Sequence, residues 1–111
     1  MNSTLNALAE PNRHRIVDLL RAGPRPVGDI VEALGLQQPQ VSKHLRVLSD
    51  AGLVTVHPVA QQRFYELRPE PFLELATWLD SYREALAARH DRLDILLRKL
   101  QEKERNHGRQ E

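Results

Sequence analysis

The segment from Gln37 to Gly52, QQPQVSKHLRVLSDAG, concentrates side chains that can bind nucleic acid. At the 3.6-residue period of a helix, Val41, Leu45 and Leu48 fall on one face, which predicts a half-buried amphipathic helix. The other face is rich in hydrogen-bond donors and suits the base edges and phosphates of a DNA groove. Its leading turn carries Gln38, Gln40, Ser42, Lys43 and His44. We interpret the segment as a recognition helix.

Several of these polar residues have a second interpretation. His44 could contact DNA, or it could bond to a neighbouring backbone group of its own helix. Lys43 and Arg46 could be solvated charges, the usual fate of such residues, although phosphate contact is favoured inside a recognition helix. Arg13 and Arg15, further upstream, could reach a phosphate or form a solvated face.

Two helices are predicted before this segment. Ser3 or Thr4 can cap the first, and Pro11 ends it. The second runs from Asn12 to Ala22 and stops at Gly23-Pro24. The apolar positions of the first helix are Leu5, Leu8 and Ala9.

A third helix precedes the recognition helix. Pro24 to Pro26 is predicted to be a tight connector. Val27 to Leu34 has its apolar residues at steps of 3, 1 and 3, which predicts a short helix, and Gly35 supplies a turn. Helix, glycine-bearing turn and second helix form the helix-turn-helix arrangement, in which the second helix enters the major groove.

Two strand-like runs follow the recognition helix. They are Leu53 to Pro58 and Arg63 to Leu67, joined by Val59 to Gln62. The loop lacks glycine, so its turn type stays open. A hairpin in this place is the wing of a winged helix, and its tip could lie along the DNA backbone or in the minor groove. The tip residues are Gln61, Gln62 and Arg63.

The C-terminal third carries a heptad seam. Its positions recur at alternating steps of 3 and 4 and are Phe72, Leu75, Leu79, Tyr82, Leu86, Arg89, Leu93, Leu96 and Leu100. An unbroken helix from Pro71 to Glu104 would be about 50 Å long at roughly 1.5 Å per residue. Its surplus apolar face predicts a second copy packed across a two-fold axis. Arg89 and His90 could mark a bend.

Two clusters on this helix allow alternatives. Trp78 and Tyr82 could line an effector pocket, but aromatic residues at this spacing are more often core. His90, Asp91 and Asp94 could hold a metal across a dimer interface. A solvent-facing, salt-bridged stretch is favoured, because arginines stand among the acids.

Length and composition bound these interpretations. With 111 residues, 41% of them hydrophobic and 28% charged, the chain can build one core, so one domain is expected. That domain would comprise a winged helix-turn-helix region over residues 1–70 and a dimerisation helix over 71–104, before a flexible tail over 105–111. Cysteine is absent, which excludes disulfides and thiolate sites. No apolar run long enough for a membrane span and no signal sequence is seen, so we expect a soluble, cytoplasmic protein without a membrane partner.

Three segments together resemble the ArsR/SmtB family of bacterial winged-helix repressors. They are ALAEPNRHRIVDLL, VGDIVEALGLQQPQVSKHLRVLSDAGLV and RFYEL, and the similarity covers about residues 5 to 88. The resemblance implies a homodimeric repressor that dimerises through its first and last helices. The DNA contacts it implies are Gln38, Gln40, Ser42, Lys43, His44 and Arg46, with Arg63, beside Gln62, in the wing. The corresponding dimer interface is Leu5, Leu8, Phe72, Leu75, Leu79, Tyr82, Leu86 and Leu93.

The chain departs from the metal sensors of that family. The helix Val27 to Leu34 has no cysteine, and neither Asp80 nor His90 is followed by the remaining ligands of a zinc pattern. The segment WLDSYR, from Trp78 to Arg83, resembles a cysteine-free branch whose signals are mostly not metals. We therefore expect no metal site and no cofactor.

The predicted fold is mainly α with a small β-hairpin, a winged helix-turn-helix that dimerises through its terminal helices. The predicted function is repression by a homodimer bound to an inverted-repeat operator on double-stranded DNA, with half-sites about one turn apart. The alternative is a protein-interaction module, which the net charge of +1 supports. An enzyme is not expected, because Ser42 and His44 stand two apart on a helix and cannot face each other.

Overall fold

The computed structural model describes residues 1–109, which form five helices and three strands. In chain order these are α1 (Asn2–Ala9), α2 (Pro11–Leu20), β1 (Arg25–Pro26), α3 (Val27–Leu34), α4 (Gln38–Asp50), β2 (Val54–Val59), β3 (Gln62–Leu67) and α5 (Pro69–Arg109). The fold is a winged helix-turn-helix, as the sequence predicts.

Helix α1 presents small side chains to the core. It begins at Asn2 with Met1 as its cap and without a side-chain capping bond, so the prediction of a Ser3 or Thr4 cap is wrong. Because the helix starts earlier, Thr4 lies inside it and is buried together with Ala7. Leu5 instead points outward, with 40% of its surface exposed. Small residues on the inner face let α1 approach α2 closely.

Helix α2 begins at Pro11, a position where proline loses no helical hydrogen bond. Glu10 caps it, since its side chain accepts a bond of 2.8 Å from the backbone N–H of Arg13. The predicted break at Pro11 is confirmed, because α1 ends at Ala9.

Helices α3 and α4 build the helix-turn-helix over a shared core. Gly35 ends α3 with φ of 67°, a left-handed conformation that glycine adopts at little cost. The predicted bounds of α3 are confirmed, and α4 lies within the predicted segment. The hydrophobic core comprises Ala7, Ile16, Val17, Leu20, Ile30, Leu34, Val41, Leu45, Leu48, Leu53 and Val54.

The wing is part of a three-stranded sheet with strand order β1-β3-β2, antiparallel throughout. The predicted connector at Pro24 to Pro26 contains strand β1, where Arg25 pairs with Tyr65 and Pro26 with Phe64. Strands β2 and β3 are joined by two residues rather than four, because Val59 pairs with Gln62. Ala60 in this short loop takes a left-handed φ of 55°, which is uncommon without glycine.

The sequence allowed a bend at Arg89 and His90, but helix α5 continues through both residues without interruption. It also includes residues 105–109, which were expected in a flexible tail, while the last two tail residues lie outside the described part. Two compact units are present, one from Met1 to Leu75 and one beginning at Ala76. The first contains the helix-turn-helix and the wing.

Candidate nucleic-acid interface

Helix α4 is anchored by a fully buried row. Val41, Leu45 and Leu48 each have 0% of their surface exposed. Proline in the first turn favours the helix start, and the chain leaves the helix through Gly52, whose φ is 79°. The N–H of Leu53 then donates to the carbonyl of Leu48 at 3.0 Å. Burial and capping together fix which side of α4 faces solvent.

The exposed surface of α4 divides into three rows at 100° per residue. Gln38, Ser42 and Arg46 repeat every four residues and form the row on one flank. Lys43 lies roughly opposite the buried row, and Gln40 lies on the other flank. All five of these side chains are exposed. They can therefore meet a surface laid across the helix.

A cleft of about 360 Å³ joins this helix to the wing. It brings Gln38 and Ser42 of α4 together with Gln62 and Arg63 of β3. Four predicted contacts thus share one concave surface, although they lie about twenty residues apart in the chain. These four side chains carry amide, hydroxyl and guanidinium groups, which can donate to base edges and to phosphate oxygens. Gln40, Lys43 and Arg46 do not line this cleft.

The cleft also holds residues outside the predicted set. Asp29, in the first turn of α3, and Tyr65, in β3, both line it. Asp29 places a carboxylate among donors, so it can accept from the amino group of cytosine and disfavours a phosphate beside it. In the sequence, the position of Asp29 at the start of a predicted helix was the only feature that could have pointed to its place in the cleft. The pairing of β1 with β3, which brings α3 to the wing, connects distant residues and is not visible in local patterns.

His44 is less accessible than the other predicted contacts. Its Nδ1 lies 3.7 Å from Oε2 of Glu10, and 20% of its side chain is exposed. The expected alternative was a backbone group of its own helix, but its closest charged neighbour is the cap of α2. His44 therefore links the recognition helix to the junction between α1 and α2.

Arg13 and Arg15 bond to carbonyls at helix ends. Nε of Arg13 donates to the carbonyl of Ala7 at 2.8 Å, and a second nitrogen donates to the carbonyl of Asn6 at 3.2 Å. Arg15 donates to the carbonyl of Leu34 at 3.4 Å. Arg13 is partly buried, so a fully solvated face does not describe it, and its phosphate contact stays a prediction. It satisfies the free carbonyls at the end of α1.

The predicted dimer residues differ in their exposure. Leu8 and Phe72 are partly buried against the core, and Leu75 is also partly buried. The exposed members of the set are Leu5, Leu79, Tyr82, Leu86 and Leu93. The rings of Trp78 and Tyr82 lie 5.6 Å apart with both residues exposed, so the favoured core assignment is wrong for the single chain. Of the leucines in the heptad seam, Leu75 is partly buried, whereas the exposed ones are Leu79, Leu86, Leu93, Leu96 and Leu100.

Nε2 of His90 lies 3.9 Å from Oδ2 of Asp94, but among residues 1–106 no group of three potential metal ligands comes together. Over the same residues, no helix combines the length and the apolar character that a membrane crossing requires.

Comparison with known proteins agrees with this geometry. The family model described as "Bacterial regulatory protein, arsR family" matches residues 10–56. The transcriptional repressor SdpR of Bacillus subtilis is 32% identical over 79 residues, covering 71% of this chain and 88% of SdpR. The regulator Rv2034 of Mycobacterium tuberculosis is 41% identical over 76 residues, covering 68% of this chain and 71% of Rv2034. The crystal structure of the ArsR family transcriptional regulator RHA00566 superposes with a TM-score of 0.67 at 29% identity, over 75% of this chain and 86% of that one.

A helix-turn-helix that packs its apolar side on the core, and whose polar face shares a cleft with a β-wing, defines the winged-helix class of transcriptional regulators. Within that class, the chain belongs to the ArsR family of bacterial regulatory proteins. The resemblance seen in the sequence is confirmed.

Proposed function

We propose that this protein is a transcriptional repressor that binds an inverted-repeat operator as a homodimer and blocks a promoter by occupying it. The observation that carries the proposal is the cleft in which Gln38 and Ser42 of the recognition helix face Gln62 and Arg63 of the wing. Family membership supports the same function, since the B. subtilis relative is named a repressor. The chain would thus act by binding and not by catalysis.

The three rows of α4 suggest separate tasks. Gln38 and Gln40 carry amides that can pair with adenine, so they are assigned to base readout. Lys43, which lies roughly opposite the buried row, and Arg46 are assigned to phosphates. Arg63 would hold the backbone beside the wing. His44, which is oriented toward Glu10, would contribute less direct contact than its place in the motif suggests.

The homodimer is inferred from α5. From Ala76 onward, this helix exposes about half of each leucine along the seam, and such a row is rarely left in water. The exposed fractions are 49% for Leu79, 52% for Leu86, 51% for Leu93, 53% for Leu96 and 51% for Leu100. A second copy with the same row offers the simplest cover across a two-fold axis.

The test is DNA binding by the purified full chain to the region upstream of its own coding sequence. Fluorescence anisotropy should show saturable binding that an unrelated fragment of equal length does not compete away. Cleavage protection should reveal two related half-sites. Gln38→Ala should relax base preference within each half-site, whereas Gln101→Ala, which removes the same amide from exposed α5, should not. Absence of saturable binding would instead favour the protein-interaction module.

A further inference from the structure

A second cleft lies on the first compact unit, apart from the cleft between α4 and the wing. Its volume is about 520 Å³, within the range of small-molecule sites. The floor is apolar and is built from Leu8 of α1, Val17 of α2, Leu67 of β3 and Phe72 of α5. Leu8 and Phe72 are also predicted dimer residues, so the site requires a dimer that leaves this cleft open. Because four separate elements contribute one side chain each, the cleft is a product of the tertiary fold.

The rim of this cleft carries charge. Arg21 and Arg68 both line it, as do His14 and Asp18, whose side chains pair at 3.4 Å. Arg68 is shared with Glu70, whose carboxylate lies 3.8 Å from its Nε. Among residues 1–106, no carboxylate lies within ion-pair distance of Arg21. Arg21 thus places a guanidinium without a carboxylate at ion-pair distance beside an apolar floor, while Asp18 is balanced by His14 only when His14 is protonated.

This combination selects one ligand chemistry. An apolar floor favours a hydrocarbon or aromatic body, and a free guanidinium favours a carboxylate, which it can bind through two parallel hydrogen bonds. A neutral apolar molecule would leave Arg21 unused, and an organic cation could pair only with Asp18. We propose that the cleft binds a small organic carboxylate with an apolar body, and that this ligand is the signal of the regulator.

The cleft is mechanically connected to the recognition helix. The backbone N–H of Arg68 donates to the carbonyl of Leu53 at 2.9 Å, and the N–H of Leu53 donates to Leu48 near the end of α4. Val17 belongs to the same core cluster as the buried row of α4. A ligand that shifts the segment from Leu67 to Phe72 would therefore act on the end of α4. This consequence for DNA, unlike ligand binding itself, rests on the proposed function.

Ligand binding is tested by titrating the full chain with octanoate, 1-octanol and octylammonium, which share one chain length and differ in charge. Octanoate should bind most tightly, with saturable amide shifts in NMR spectra at Val17, Arg21 and Arg68. Arg21→Gln should weaken octanoate about tenfold and leave octanol unchanged, because it removes the charge alone. Arg21→Glu should reverse the preference in favour of octylammonium. Arg92→Gln, an exposed arginine on α5, is the matched control.

Three results would overturn the site: equal binding of octanoate and octanol, shifts confined to the leucines of α5, or octanoate binding that weakens as protein concentration rises. The last result would mean that a second copy covers the cleft. Naphthalene-2-carboxylate replaces octanoate in a parallel titration, and tighter binding of either one identifies an aromatic or an acyl ligand.

The regulatory step is measured separately. Octanoate should change the affinity of the wild-type chain for its upstream DNA and leave that of Arg21→Gln unaffected. An equal response in both proteins would refute the effector role. Failure of the ligand-free chain to bind DNA would refute the proposed function and leave the carboxylate site intact, so the two failures are distinguishable.

Discussion

Removing Lys43 and Arg46 together tests whether α4 lies against the DNA backbone. Both side chains are exposed, and neither has an ion-pair partner among residues 1–106. In a dimer, the double alanine variant withdraws four cations from the interface. Each neutralised phosphate contributes about 0.9 to the slope of log affinity against log salt, so the slope should become shallower by about 3.6.

That slope change predicts a concrete difference between two salt concentrations. From 50 to 200 mM salt, the affinity deficit of the double variant relative to wild type should shrink by about 150-fold. Lys43→Ala alone should show a shrinkage of about 12-fold, since it withdraws two of the four cations. Fluorescence anisotropy on one operator fragment, at four or more salt concentrations, measures both slopes.

Matched controls separate contact from bulk charge. Lys99→Ala and Arg92→Ala remove the same two charges from exposed positions on α5. If net charge alone attracts DNA, the control pair should flatten the slope as much as the α4 pair does. An unchanged slope in the α4 variant, or equal slopes in both, would refute the assignment of α4 as the DNA-facing helix.

Three further predictions concern stability and assembly. Arg13→Met keeps the apolar stem but loses the bond of 2.8 Å to the carbonyl of Ala7, so urea denaturation should show a loss of about 1 kcal/mol; an unchanged midpoint would contradict the capping role. Gly35→Ala places a Cβ in open space but at φ of +67°, so the expected cost of about 1 kcal/mol is conformational and should appear in the same assay without loss of dimer. Leu86→Glu puts a charge into the seam and should raise the dimer dissociation constant at least tenfold in sedimentation experiments. Ala88→Glu, off the seam, should not raise it. Equal effects of the two variants would contradict dimerisation through the seam.

Periodic patterns of apolar residues were sufficient to predict α3 and α4, the two helices of the helix-turn-helix. The spacing of apolar residues in Val27 to Leu34 and the row Val41, Leu45 and Leu48 reported burial directly, because a helix that packs on a core must repeat at its own period. The resulting bounds of α3 are correct to the residue. Local sequence therefore contained the helix-turn-helix.

Features that depend on distant partners were not predictable in this way. Strand β1 is two residues long and includes Pro26, so only its pairing with Phe64 and Tyr65 makes it a strand. Ala60 gives no turn signal, although the register of the wing forces it into a left-handed conformation. The place of Asp29 in the cleft between α4 and the wing was not predictable for the same reason, since tertiary pairing brings α3 beside the wing.

In the proposed dimer, each reading head, meaning the recognition helix and wing of one copy, carries few cations, so the second copy would be necessary for useful affinity. Lys43, Arg46 and Arg63 are the cations assigned to the backbone, which gives one head a salt slope of only about 2.7. The chain as a whole carries a net charge of +1, so it adds little non-specific attraction. Once one head of a dimer is bound, the other is held at a high effective concentration near its half-site, provided that the seam sets a matching distance. In the proposed dimer, the leucines of α5 would therefore decide operator affinity as much as the residues of α4 assigned to DNA contact.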